Sequence, residues 1–151
     1  NVMRILEKQK LGYKHYCYVE TGATNGEEVA ALLGEDPLRV FKTLVTVAKS
    51  GRNYVFMVPV CCELDLKKAA AAVGEKSVEM LKSKELLPLT GYVHGGCSPI
   101  GMKKFFPTVI DSSAADYDTI IFSAGKIGYQ VELSPADLAQ VICYAFADIT
   151  V

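Results

Sequence analysis

Hydrophobic residues in this chain come in short runs whose spacing switches repeatedly between helical and extended periods. From Met3 to Leu11, Ile5 and Leu6 sit among Arg4, Glu7, Lys8 and Lys10, which predicts the end of an amphipathic helix that Gly12 stops. Tyr13 to Val19 is aromatic and β-branched and predicts a strand. Asn25 and Glu28 have the spacing of a cap and its N3 partner, Val29, Ala30, Leu32 and Leu33 supply an apolar face, and Gly34 ends that short helix. Asp36-Pro37 then turns the chain. Val40 to Ala48 and Asn53 to Val60 both have strand character, and Ser50-Gly51-Arg52 between them is the strongest hairpin signal in the sequence.

Asp65 to Val73, rich in Ala and Lys, predicts a helix closed by Gly74, and Ser77 is expected to cap another that runs through Leu87 and ends before Pro88. After the Gly/Pro-rich segment from Gly91 to Pro107, strands are expected at Thr108 to Asp111, Thr119 to Ser123 and Tyr129 to Leu133. Ser134-Pro135-Ala136-Asp137 starts a helix expected to continue through Leu138 to Tyr144, with a last strand over Phe146 to Val151. Hairpins with irregularly interspersed helices indicate a mixed α/β, α+β-like domain with a curved sheet and flanking helices, and not a doubly wound sheet.

At 151 residues and 50% hydrophobic, the chain is sized for one domain spanning 1–151. Its longest apolar runs, Val55 to Cys62 and Thr119 to Ala124, fall far short of the ~20 residues a membrane span requires. No basic segment followed by an apolar one opens the sequence, so nothing in it suggests secretion, and a start at Asn1 leaves room for further residues ahead of it. A net charge of −1 disfavours a long nucleic-acid footprint and DNA binding, yet allows a basic pocket for a terminal nucleotide or two. The five cysteines, Cys17, Cys61, Cys62, Cys97 and Cys143, contain no C-x-x-C pair, so a disulfide framework or closed zinc site is not expected and a reducing cytoplasm fits best. Cys61 and Cys62 are expected to point to opposite faces of a strand as small buried hydrophobes.

Three segments could carry chemistry. Strand alternation puts Lys42 on the face of Val40 and Leu44, so it is either a lysine snorkelling from a sheet edge or a cation inside a cleft that grips phosphate or a carbonyl oxygen. His94-Gly95-Gly96-Cys97-Ser98-Pro99-Ile100-Gly101 leaves backbone amides open to an anion or oxyanion, though such clusters are also ordinary turns, and it fits neither a P-loop nor a G-x-S-x-G elbow. Phe122-Ser123-Ala124-Gly125-Lys126-Ile127-Gly128 either closes a hairpin or brings Ser123 beside that loop. His94 and Cys97 lie three positions apart with no third orienting group, a poor basis for a nucleophile pair. His15 is expected to be a strand histidine, and no metal shell is visible.

In order and spacing, Phe41-Lys42-Thr43-Leu44, Thr90-Gly91-Tyr92-Val93 with Gly95-Gly96, Ser98-Pro99-Ile100-Gly101 with Lys103-Lys104, and Ser123-Ala124-Gly125-Lys126 resemble the YbaK/EbsC family. These are free-standing relatives of the editing domain in bacterial prolyl-tRNA synthetase. The resemblance implies a sheet curved into a partial barrel, with a cleft between sheet and glycine-rich loop. It also implies trans-editing removal of cysteine from mischarged Cys-tRNA(Pro), with Cys-tRNA(Cys) as a further substrate. The partners it implies are the aminoacyl-tRNA acceptor end and, transiently, prolyl-tRNA synthetase; no cofactor or metal is implied.

By resemblance, Lys42 matches the family's cleft lysine and Gly95 the glycine whose backbone faces the substrate. Gly96, Ser98, Pro99, Gly101 and Gly125 join in substrate binding, and Tyr18 and Ser123 line the pocket. The resemblance also implies chemistry supplied by the substrate, whose thiol attacks its own ester carbonyl and leaves as a cyclic thiolactone, and the lack of a general base or nucleophile triad in the chain agrees with it. The clearest departure from the family pattern is Cys97. Competing readings are a deacylase for another residue such as alanine, a non-catalytic module binding aminoacyl-tRNA or a synthetase, and a thiol hydrolase using Cys97.

Overall fold

A computed structural model describes residues 1–17 and 26–151. The elements run α1 (Val2–Lys8), β1 (Lys14–Cys17), α2 (Gly26–Leu33), β2 (Phe41–Ala48), β3 (Asn53–Pro59), α3 (Leu66–Val73), β4 (Val78–Met80) and α4 (Ser83–Thr90). They continue with β5 (Thr108–Asp111), a 3-10 turn (Ser112–Asp116), β6 (Ile120–Ser123), β7 (Tyr129–Leu133), α5 (Pro135–Leu138) and β8 (Tyr144–Ala147).

Local chemistry sets several of these ends. The carboxylate of Asp65 accepts from the amides of Lys67 and Lys68 at 2.9 and 3.1 Å, and Gly74 closes α3 in the left-handed conformation at φ 73°. The hydroxyl of Ser134 accepts from Asp137 N–H at 3.0 Å at the start of α5. β2 and β3 form the expected hairpin, with Lys42 opposite Val58 and Leu44 opposite Phe56.

Two predicted helices are corrected. Val78 to Met80 forms the edge strand β4 instead of the first turn of a helix capped by Ser77: Lys49 N–H donates to Ser77 O, and Leu81 N–H to Val45 O. The helix begins only at Ser83 and carries Pro88, which cannot donate the N–H that would otherwise bond the Lys84 carbonyl. The helix after Ser134 stops at Leu138, because Tyr144 to Ala147 is drawn into parallel pairing with β5.

β1, β7 and β6 form an antiparallel three-stranded sheet, and a mixed five-stranded sheet has the order β4-β2-β3-β5-β8. A bridge between Val40 and Ile121 joins them just ahead of β2. The main core fills the space between them with Phe41, Met57, Ile110, Ile120, Phe122, Val131 and Leu133, covered by Val2 and Leu6 of α1 and Leu138 of α5. Fully burying one such side chain is worth about 1.5–3 kcal/mol. This is the mixed α/β architecture expected, with helices flanking the sheets. No helix among the described residues is long and apolar enough to cross a membrane.

A polar clamp ties the sheets together beside that bridge. The buried Glu132 carboxylate on β7 accepts from Tyr16 OH at 2.6 Å and from Thr119 Oγ1 at 2.7 Å, and it pairs with Arg39 Nη2 at 2.9 Å. Arg39 also donates to Thr119 through its side chain and pairs with Glu35 at 3.2 Å. Burial opposes ionisation of Glu132, but the hydrogen bonds from Tyr16 and Thr119 and the charges of Arg39 and Lys14 outweigh it, holding the carboxyl below its ordinary range.

Candidate functional site

The N-terminal half of β2 forms one wall of a cleft of about 570 Å³. Val40 through Val45 line it, so Lys42 and Thr43 both reach the cleft although strand alternation would separate them. Opposite stand His94, Gly95 and Cys97 of the glycine-rich loop. Ser123 and Gln130 contribute from β6 and β7, Glu27 and Val29 from α2, and Met80, Leu81, Ser83 and Leu86 from the β4–α4 region.

The structure therefore brings together Lys42, Gly95 and Ser123 from three distant segments. Lys42 Nζ lies 3.7 Å from Glu63 Oε1, whose side chain is 85% exposed, so this pair is weak and easily exchanged for an anionic ligand. Gly95 adopts φ 87°, a conformation costly for any residue with a Cβ. Ser123 Oγ accepts from Gly125 N–H at 3.1 Å and fixes the turn after β6.

Other expected site residues serve the loop's shape instead. The Gly96 N–H is committed to Val93 O at 3.0 Å, and a Cβ there would lie 3.0 Å from Ile127 N. Ser98 is fully buried, with its hydroxyl accepting from Ile100 N–H. Pro99 and Gly101 line a separate cavity of about 190 Å³ with Lys104, Phe105 and Phe106. Gly101 and Gly125 both make room for Tyr92: a Cβ at either position would come within 2.9 Å of its ring or hydroxyl, and the Tyr92 OH donates to Ile100 O. Tyr18 lies outside the described residues.

Two cleft residues escaped the sequence reading. Thr43 Oγ1 and Gln130 Oε1 are buried without a hydrogen-bond partner among the described residues, and both residues line the cleft. An unpartnered buried polar atom is costly, about 1–3 kcal/mol, so each of these is an atom that a bound water or a ligand would stabilise. Thr43 adjoins the Lys42 motif, but nothing in the sequence separates Gln130 from an ordinary strand polar residue.

The thiols do not form a catalytic centre. Burial pushes the Cys97 thiol up to about 12, so it stays protonated at neutral pH. Cys61 and Cys62 lie in a turn beyond β3 and not on a strand; Cys61 is exposed and Cys62 half-buried, which corrects the expectation of small buried hydrophobes. Among the described residues, no group of three or more His, Cys, Asp or Glu could hold a metal ion.

Comparison with known proteins places this geometry in context. The chain is 48% identical over 151 residues to EbsC of Enterococcus faecalis, named as a candidate Cys-tRNA(Pro)/Cys-tRNA(Cys) deacylase, with 99% of this chain and 92% of that protein covered. It is 29% identical over 119 residues to a proline–tRNA ligase of Shouchella clausii, covering 78% of this chain and 21% of the ligase. Among solved structures, a candidate trans-editing enzyme for prolyl tRNA synthetase shares the fold at a TM-score of 0.84 and 24% identity, with 99% of this chain and 96% of that one covered. The family described as the aminoacyl-tRNA editing domain matches residues 20–141. Sequence and fold agree, and the chain belongs to the aminoacyl-tRNA editing domain family.

Proposed function

We propose that this chain, as one editing domain over 1–151, is a trans-editing deacylase that removes cysteine from mischarged Cys-tRNA(Pro), with Cys-tRNA(Cys) as a second substrate. Its similarity to EbsC supports that substrate class. The observation that carries the mechanism is a cleft offering a cation, an open loop and unpartnered polar atoms, while its one cysteine, Cys97, is held protonated by burial.

Lys42 Nζ leaves Glu63 for the phosphate or ribose of the terminal adenosine. The Gly95 N–H, which has no backbone acceptor among the described residues, faces the ester and its developing oxyanion, while Gly96 is already committed. Gln130 Oε1 accepts from the substrate's α-amino group, and Thr43 and Ser123 close the space around its small side chain.

The substrate thiol loses its proton and attacks its own ester carbonyl. The new S–C bond forms as the ester C–O bond breaks, and the ribose oxygen takes a proton as it leaves. The ring, made of Sγ, Cβ, Cα and the carbonyl carbon, is strained, so the cleft must hold the thiol and carbonyl aligned and stabilise the oxyanion. One well-placed donor of this kind contributes about 2.7–4 kcal/mol to such a step. Alanine and proline lack the attacking group. Work in the cytoplasm beside prolyl-tRNA synthetase, which would select the tRNA, suits a near-neutral domain too small to read a whole tRNA.

The test is the charged fraction of Cys-tRNA(Pro) over time with the wild type and Lys42→Ala, with and without synthetase. Rapid loss in the wild type alone supports the deacylase. Equal decay in both would show that Lys42 plays no part.

A further inference from the structure

The turn after β3 carries two adjacent thiols that this reaction does not use. Cys61 and Cys62 are free, and their Sγ atoms lie 4.0 Å apart. A disulfide closes at about 2.05 Å and usually spans Cα atoms about 4.4–6.8 Å apart, whereas neighbours across a trans peptide are about 3.8 Å apart, so closing this pair moves the backbone of the turn as well as the two side chains.

This turn is part of the cleft's edge. Val60 N–H donates to Val40 O at 2.8 Å, and both valines line the cleft. Cys62 N–H donates to Pro59 O at 2.9 Å, closing the turn, and the next residue, Glu63, pairs with Lys42. Beyond it, Glu63 O accepts from Val151 N–H at 3.0 Å and Asp65 N–H donates to Ile149 O at 2.8 Å. Closing a ring across the Cys61-Cys62 peptide therefore strains a short turn held at both ends, and Val60 and Glu63, which flank the pair, take up that strain against their hydrogen bonds to Val40 and Val151.

We propose that Cys61 and Cys62 are a thiol–disulfide switch on the deacylation site, closed by a low-molecular-weight disulfide and lowering turnover by displacing Val60 and Glu63 around Lys42. The inference rests on the deacylase reading above. The Cys61 thiolate attacks the disulfide, forming a mixed disulfide and expelling one small thiol. The Cys62 thiolate then attacks Cys61 Sγ and expels the second. Two protein thiols are oxidised to one disulfide, the small disulfide is reduced to two thiols, and both protons leave with those thiols. The order follows exposure: Cys61 is open to solvent, whereas burial first, and then the Cys61 and Asp111 neighbours, raise the Cys62 thiol against the opposing charge of Lys42.

The experiment incubates the full chain with excess glutathione disulfide and follows intact mass, peptide maps after alkylation, and Cys-tRNA(Pro) deacylation. The expected product is lighter by about 2 Da, the two lost hydrogens, with the closed pair mapped to Cys61-Cys62. Its kcat/KM falls at least about tenfold, since a misplacement of about 1 Å can cost up to about 100-fold, and dithiothreitol restores it. Cys61→Ser and Cys62→Ser keep the untreated rate and lose the sensitivity. Stable glutathione adducts without closure, a disulfide joining a different pair, or a closed Cys61-Cys62 pair with unchanged rate would each overturn the switch. If the untreated protein fails to deacylate any Cys-tRNA, the deacylase reading falls and the switch with it, whereas normal untreated turnover with any of those three outcomes overturns the switch alone.

Discussion

Arg39 and Lys42 lie on the same stretch of chain, three residues apart in sequence and opposite in circumstance. Arg39 is saturated: Glu35, Glu132 and both the hydroxyl and the carbonyl of Thr119 hold its guanidinium. Lys42 has a 3.7 Å contact with a carboxylate that is itself almost wholly in water. β7 repeats the contrast two residues apart, where Glu132 accepts from three partners and Gln130 Oε1 from none among the described residues. All of these groups are at least partly buried and polar, so burial alone does not separate structure from function. Satisfaction does: the saturated pair joins two sheets, and Lys42 and Gln130 line the cleft.

The contrast is tested hardest at Arg39. Arg39→Ala strands the Glu132 carboxylate and should cost about 3 kcal/mol of stability, read as a lower urea midpoint. A loss below about 0.5 kcal/mol would show the clamp to be ornamental. At Lys42 the effects should reverse: Lys42→Ala lowers kcat/KM for Cys-tRNA(Pro) about 100-fold, or about 2.7 kcal/mol, with the urea midpoint unchanged.

Gln130→Met and Gly95→Ala come next. Removing an unpartnered amide leaves stability equal or up to about 1 kcal/mol higher while activity falls about tenfold, so a clear loss of stability would show that Gln130 belongs with Glu132. Gly95→Ala forces a Cβ into φ 87° and should lower turnover about tenfold. Acid titration sharpens the clamp side. A carboxyl held below its unfolded value of about 4.3 adds stability above that pH and loses it as pH falls through the lower folded value. Wild-type stability should therefore drop below about pH 4 more steeply than that of Glu132→Gln, measured by urea unfolding at pH 7 and pH 3. The smallest effect is expected at Cys97→Ser, with turnover changed less than about twofold because the buried thiol never ionises at working pH.

Much of the frame is legible in the sequence because it is written in local chemistry. Asp65 and Gly74 bracket α3, Ser134-Pro135 opens α5, and Gly51 sits in the β2–β3 hairpin. What misleads is decided by distant partners. Ser77 has the chemistry of a cap, yet the open edge of β2 takes Val78 to Met80 as a strand. Pro88 reads as a stop, although the last turn of α4 accommodates it. At the site, the sequence identifies the loop but not which of its groups face inward: Ser98 is expected to bind substrate and is fully buried, and Gly96 looks open while its amide is used. Gln130 and Glu132 look like one polar strand face, and only the fold shows that Arg39 completes the second and the cleft leaves the first unfinished.

The central claim is that the reactive sulfur arrives on the substrate and that the protein positions it. The most direct measurement compares Cys-tRNA(Pro) with S-methylcysteinyl-tRNA(Pro), which adds only one methyl group and cannot form the thiolate. The account predicts rapid deacylation of the first and decay of the second at the level seen with Lys42→Ala. Equal rates for the two would contradict it.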